Sequence, residues 1–193
     1  TRGVMGAGHE GPAHTNVIDF ITYASHGNAT DFGDDTVSRL NYGSAESPTR
    51  GLFAGGYSPS NQDVISYITI ASAGNATDFG DLSASARGQT GTSSQTRALF
   101  AGGNNPGKLD VIEYVTIATT GDVTDFGNLT AGTTAAEGAS NKVKGIFAGG
   151  NDGSLTNTID LVTIASTGNA TDYGDLTVAR AHHGGSSNGH GGL

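Results

Sequence analysis

Cysteine and tryptophan are absent from this 193-residue chain, methionine occurs once and proline four times. Without cysteine there is no disulfide framework and no thiolate metal site, and the redox compartment stays open. Charge is sparse as well, Lys, Arg, Asp and Glu making 14% of the residues against ~25% in an average domain. The 9 basic residues face 18 acidic ones, a net charge of −9. The positive footprint that a phosphate backbone demands is missing, which excludes nucleic acid as a partner. No apolar run approaches the ~18 residues of a membrane span, so no membrane insertion is expected, and no basic segment followed by an apolar core marks a signal peptide. The start at Thr1 and the end at Gly191-Gly192-Leu193 lead to the expectation of a mature product or a fragment.

Glycine, by contrast, is abundant, at 32 residues. Each glycine in a helix interior costs roughly 1 kcal/mol relative to alanine, and no stretch carries the Leu, Ala, Glu and Lys density that offsets this. An ordinary helical or α/β enzyme is therefore excluded. Disorder does not follow either, because glycine and proline together make 36 residues (32 + 4) of 193, below the ~25–30% at which low-complexity behaviour takes over.

The apolar residues are placed in a repeat. The segments GNATDFGD, GNATDFGD, GDVTDFGN and GNATDYGD put Asp31, Asp78, Asp125 and Asp172 at intervals of 47 residues. A second marker keeps the same interval: Arg50-Gly-Leu-Phe-Ala-Gly-Gly, Arg97-Ala-Leu-Phe-Ala-Gly-Gly and Lys144-Gly-Ile-Phe-Ala-Gly-Gly, with Arg2-Gly-Val-Met-Gly-Ala-Gly as a degenerate first copy shifted by one residue. The chain is thus read as a single repeat domain over 1–193, with units at approximately 1–48, 49–95, 96–142 and 143–193. In the third unit, Ala98 to Ala101 predicts a short buried strand stopped by Gly102-Gly103. Leu109 to Ala118 predicts a longer strand, being β-branched and aromatic. Thr120-Gly121-Asp122 is a turn signal, and Val123 to Leu129 predicts the returning strand. The small polar stretch Ser83 to Ser94 leaves room for one weak strand more. An all-β fold with about four strands per unit and units of this length points to propeller blades, with a β-solenoid as the alternative.

A short strand ending in Gly-Gly, a strand carrying Tyr67 or Tyr114, a following aromatic at Phe32, Phe79, Phe126 or Tyr173, and an arginine such as Arg39, Arg87 or Arg180 together resemble the kelch repeat. The family builds β-propellers, which implies an all-β propeller of four kelch-like, four-stranded blades, either closed or part of a larger ring. The chain departs from the family in having no tryptophan and a longer hairpin between Tyr114 and Phe126. The wording from Ile159 to Arg180 also resembles kelch-like arrays in structural and tail-fibre proteins of marine bacteriophages. That resemblance implies a virion or extracellular location, with a host-surface glycan or receptor, or other virion proteins, as partners. Homo-oligomerisation is a further expectation. A spacer or decoration protein without ligand, and a secreted bacterial lectin, are the alternatives. Closure is open at this point: Ala181 to His190 can supply the first strand of the unit at Thr1 to Asp35, or the units can belong to a longer array.

Motifs of enzymes do not hold up. Asp31-Phe32-Gly33 lacks the companion elements of a kinase. Gly6-Ala-Gly8-His-Glu-Gly11 precedes no helix. No nucleophile elbow occurs, so no catalytic residue is assigned and a non-enzyme is expected. The acids Asp31, Asp34, Asp78, Asp81, Asp125, Asp172 and Asp175 carry the oxygen ligands that calcium takes, and calcium is the one cofactor considered. The competing account makes them turn caps. Identical acids give no asymmetry between a general acid and a base. Asn28, Asn75, Asn128 and Asn169 stand in N-x-T, three of them in the turn. His182, His183 and His190 lie in a Gly/Ser-rich stretch that suits a solvated loop. What varies between units is the loop after Gly-Gly, and variable loops on a repeated scaffold carry specificity. The candidate ligand-binding residues are therefore Tyr57, Asn61, Asn104, Asn105, Asn151 and Asp152.

Overall fold

The computed structural model describes residues 1–187, and these form β-strands joined by turns, with no helix among them. Strands β1 (Arg2–Glu10), β2 (Ala13–Thr22) and β3 (Thr30–Asp34) make the first sheet. The second holds β4 (Gly43–Glu46), β5 (Arg50–Ala54), β6 (Gln62–Thr69) and β7 (Thr77–Ala86). The third holds β8 (Thr90–Ser93), β9 (Arg97–Ala101), β10 (Val111–Thr116) and β11 (Thr124–Asn128). The fourth holds β12 (Glu137–Ser140), β13 (Lys144–Ala148), β14 (Thr158–Thr163) and β15 (Thr171–Asp175). Every sheet is an antiparallel meander in chain order, and none closes on itself. The weak strand expected within Ser83 to Ser94 is β8, and it pairs forward with β9. Each four-stranded sheet therefore opens one strand ahead of the Arg or Lys that begins the sequence unit. Residues 181–187 pair with no strand of the first sheet.

Consecutive sheets pack face to face. Ile18 and Phe32 of the first meet Phe53 and Ile68 of the second. Leu52, Ile65 and Phe79 meet Ala98, Phe100, Val115 and Ile117. Leu99, Ile112 and Phe126 meet Phe147, Val162 and Ile164. Each fully buried Leu, Ile or Phe contributes roughly 1.5–3 kcal/mol, so three such layers supply the main stabilising term. Edge-to-face pairs set the ring geometry within a sheet: Phe20 with Phe32 at 5.9 Å, Tyr67 with Phe79 at 5.7 Å, Tyr114 with Phe126 at 6.0 Å.

The leading arginines join one sheet to the next. Each lies over an aromatic ring of its own sheet, Arg2 on Phe20, Arg50 on Tyr67 and Arg97 on Tyr114. From there Nη1 donates to a carbonyl at the end of the corresponding strand of the next sheet: Ile70 at 3.0 Å, Ile117 at 2.7 Å and Ile164 at 2.9 Å. The Gly-Gly pairs end the strands as expected, and the left-handed first position has φ of 65°, 67° and 64° at Gly55, Gly102 and Gly149. In the degenerate first unit Ala7 stands there, with φ 52°.

The first junction differs from the others by one buried ion pair. Arg39 is fully buried and binds Asp35 through Nε at 2.8 Å and Nη2 at 3.1 Å, while Nη1 donates to the carbonyls of Gly55 and Val64. Ser66 takes a hydrogen bond from Nη2 at 2.5 Å and donates to Asp35. One repeat on, positions 35 and 39 correspond to Leu82 and Ala86, both buried. Arg39→Ala leaves a buried carboxylate unpaired and is expected to cost about 3–5 kcal/mol. Asp35→Leu with Arg39→Ala, which copies the neighbouring repeat, should recover most of that loss in a denaturant melt. Ala7→Gly should add about 1 kcal/mol by relieving a left-handed alanine, measured in the same way.

Candidate functional site

The variable loops leave the sheets at equivalent places. Tyr57, Asn104 and Asn151 each make two isolated bridges, to Leu40 and Asn61, to Arg87 and Lys108, and to Thr134 and Leu155. Backbone pairing therefore fixes the base of these three loops at the same place in each sheet. Asn61 Nδ2 donates to the carbonyl of Asn104 at 2.8 Å, tying the second unit's loop to the third's. The guanidinium of Arg87 lies 5.0 Å over the Tyr57 ring. His14 meets Tyr57 in an edge arrangement at 6.0 Å, and His9 meets His14 at 5.7 Å. The result is a row of His9, His14, Tyr57 and Arg87, half-exposed or exposed throughout.

Of the candidate residues, Tyr57, Asn61 and Asn104 come together. Asn105 is exposed on the following loop, with its backbone N–H bonded to Gly107. Asn151 and Asp152 spend side-chain oxygens on their own turn, accepting from the N–H groups of Gly153 and Ser154 at 3.0 Å each. The histidines and Arg87 were not among the candidates. Their signal lies in the first unit's loop after Gly8 and in the arginine at a repeat end, but only the ring contacts at Tyr57 bring these segments together.

Among the repeated acids, Asp31 and Asp172 cap their own turns through their carboxylates, and Asp34 and Asp81 serve the junctions through their backbone. Asp31 and Asp172 accept from the N–H groups of Gly33 and Gly174. Asp34, Asp81 and Asn128 donate backbone N–H to the next unit's Asn75, Asp122 and Asn169 at 3.1, 3.0 and 3.0 Å. Asn75 and Asn169, expected to serve their own turn, thus serve the junction between sheets. Asp78, Asp125 and Asp175 are exposed on their strands. Desolvation, then the charges of Asp63, Asp122 and Asp78, hold the Asp81 carboxyl above the usual aspartate range. Among the described residues no three side chains of His, Asp or Glu gather as a cation would need. His183 packs against Gly149 and lies near Glu137, whereas His190 is outside the described residues.

No family model matches the chain, and no curated protein sequence matches it either. The fold and the loop level define an all-β protein of four stacked antiparallel sheets with one polar and aromatic row. With the carboxylates of Asp31 and Asp172 engaged in their own turns and no acid cluster among the described residues, thermal melts in calcium and in chelator should coincide. A higher melting temperature in calcium would make the acids ligands.

Proposed function

We propose that the chain is a kelch-like β-propeller, or a four-blade arc of one, that serves as a non-enzymatic binding module on a virion surface and attaches to a host-surface glycan. The observation that carries the ligand class is the row of His9, His14, Tyr57 and Arg87 beside Asn61 and Asn104. A sugar presents an apolar ring face and a rim of hydroxyls. An aromatic ring held rigidly by neighbours stacks on the first, and amide and guanidinium groups bond the second. The propeller reading is supported by sheets that each pack on the next, by a repeat of 47 residues and by the meander order within each sheet. The location on a phage particle rests on the resemblance in wording alone.

The test is binding of the purified chain to a panel of bacterial surface polysaccharides and to a glycan array. A hit should weaken roughly tenfold, about 1.4 kcal/mol, in Tyr57→Ala and in Asn61→Ala, and hold in Tyr57→Phe. Absence of any binding across the panel would leave the spacer role as the better account.

A further inference from the structure

The three junctions inside the chain are built from the same atoms. The hairpin of each sheet after the first sends Gly74, Gly121 or Gly168 N–H to the carbonyl of Phe32, Phe79 or Phe126 of the sheet before, at 2.6–2.7 Å. Two residues on, Ala76, Val123 and Ala170 donate to the carbonyls of Asp34, Asp81 and Asn128, and the side chains of Asn75, Asp122 and Asn169 accept from the same residues. The contact is so close that a Cβ on Gly33, Gly80 or Gly127 would lie 2.4–2.5 Å from the incoming glycine backbone.

Both halves of this junction recur, uncovered, at the two ends of the array. The fourth sheet presents Tyr173, 68% exposed where Phe32, Phe79 and Phe126 are 2–3% exposed, and Gly174, whose Cβ would meet nothing within 4 Å. The first sheet presents Gly27-Asn28-Ala29, identical in sequence to Gly74-Asn75-Ala76 and Gly168-Asn169-Ala170, and among the described residues the Gly27 N–H meets no backbone carbonyl, unlike those of Gly74, Gly121 and Gly168. The polar contacts match too. Thr130 donates N–H and Oγ1 to Asp160 across the third junction, at 3.1 and 2.7 Å. The corresponding residues at the ends are Thr177 and Asp19.

A second pair of features agrees. Ser93 and Ser140 each donate Oγ to the carbonyl 47 residues earlier, Glu46 and Ser93, and Ser187 donates to Ser140 in the same way. Residues 184–187 thus stand one place further along the row of β4, β8 and β12. Beside β1 runs a groove of about 570 Å³ walled by Gly3, Met5, Ala45, Leu52 and Phe53. Its walls are the ones an inner strand of the first sheet would touch, since β4 itself touches β8 and β9 of the next sheet. Among the described residues none beyond Ile70 lines that groove, whereas Gly185, Ser186 and Ser187 line a neighbouring cavity of about 340 Å³ with Ser44 and Glu46 of β4, so 184–187 approaches the groove across β4 without entering it. Closure of four units on themselves would make them one.

We propose that this face is an interface between copies of the chain, joined head to tail: the 184–187 segment of one copy runs along β1 of a second, and its Tyr173–Gly174 face receives the second copy's Gly27 hairpin. Such a contact is heterologous, two different surfaces meeting, with the main-chain pairing of strand addition. It does not depend on what the polar loops bind.

The 193-residue chain is tested by light scattering over a concentration series, with Met5→Arg in the groove and Tyr173→Arg on the opposite face. Both side chains are largely exposed, at 48% and 68%, and melting curves check that the variants fold. The expected result is association of the parent chain into a multiple of its mass, weakened at least about tenfold by either variant. An equimolar mixture of the two variants should form a one-to-one complex, because each retains the surface the other lacks. A parent chain that stays monomeric, association that ignores either substitution, or a mixture no tighter than the single variants would each overturn the proposal.

Discussion

A glycine N–H reaching into the carbonyl of the preceding sheet, with a side-chain oxygen at the next position accepting in return, is the contact on which the array depends. Hydrophobic burial between sheets is larger in energy but has no direction, and two flat apolar faces can slide. The backbone bonds at Phe32, Phe79 and Phe126 stop the slide at one register. They also explain the glycine content. The incoming glycine and the one it approaches both lie where a side chain would collide or where φ is positive, as at Gly80 (147°) and Gly121 (152°). A sequence with few charges and many glycines is then the expected composition of sheets held together by backbone at close range.

The asparagine of GNAT is the clearest case of a motif read correctly and placed wrongly. Its recurrence at Asn75 and Asn169, with Asp122 between, marks a hydrogen-bond acceptor in a turn, and that much is visible in the letters. That the acceptor serves the sheet before, 41 residues away in sequence, is not, because nothing in a local pattern names a distant partner. The same holds for the arginines of the second marker. Their regular spacing announced a role, whereas the carbonyls of Ile70, Ile117 and Ile164 that they reach lie 67 or 68 residues on.

Strand content and the unit length were legible because periodic hydrophobicity and Gly-Gly stops are local signals. The phase of the sheets was less so. β4, β8 and β12 are four residues each, made of Gly, Ser, Thr, Ala and Glu, and short polar strands carry little propensity. The loop level was half legible: variability pointed to Tyr57, Asn61 and Asn104, but which side chains meet there is set by contacts between distant segments, His14 and Arg87 sharing the Tyr57 ring while Asn151 and Asp152 turn back on themselves.

The buried Asp35–Arg39–Ser66 set gives the first junction an address. Chains of near-identical units can fold with one unit docked a full repeat out of step, since apolar faces alone would accept the exchange. If the first sheet met the third in place of the second, Asp35 and Arg39 would find Glu113 where Ser66 stands, and one buried guanidinium would face two carboxylates in place of one. These departures from the repeat favour the pairing of the first sheet with the second over any other.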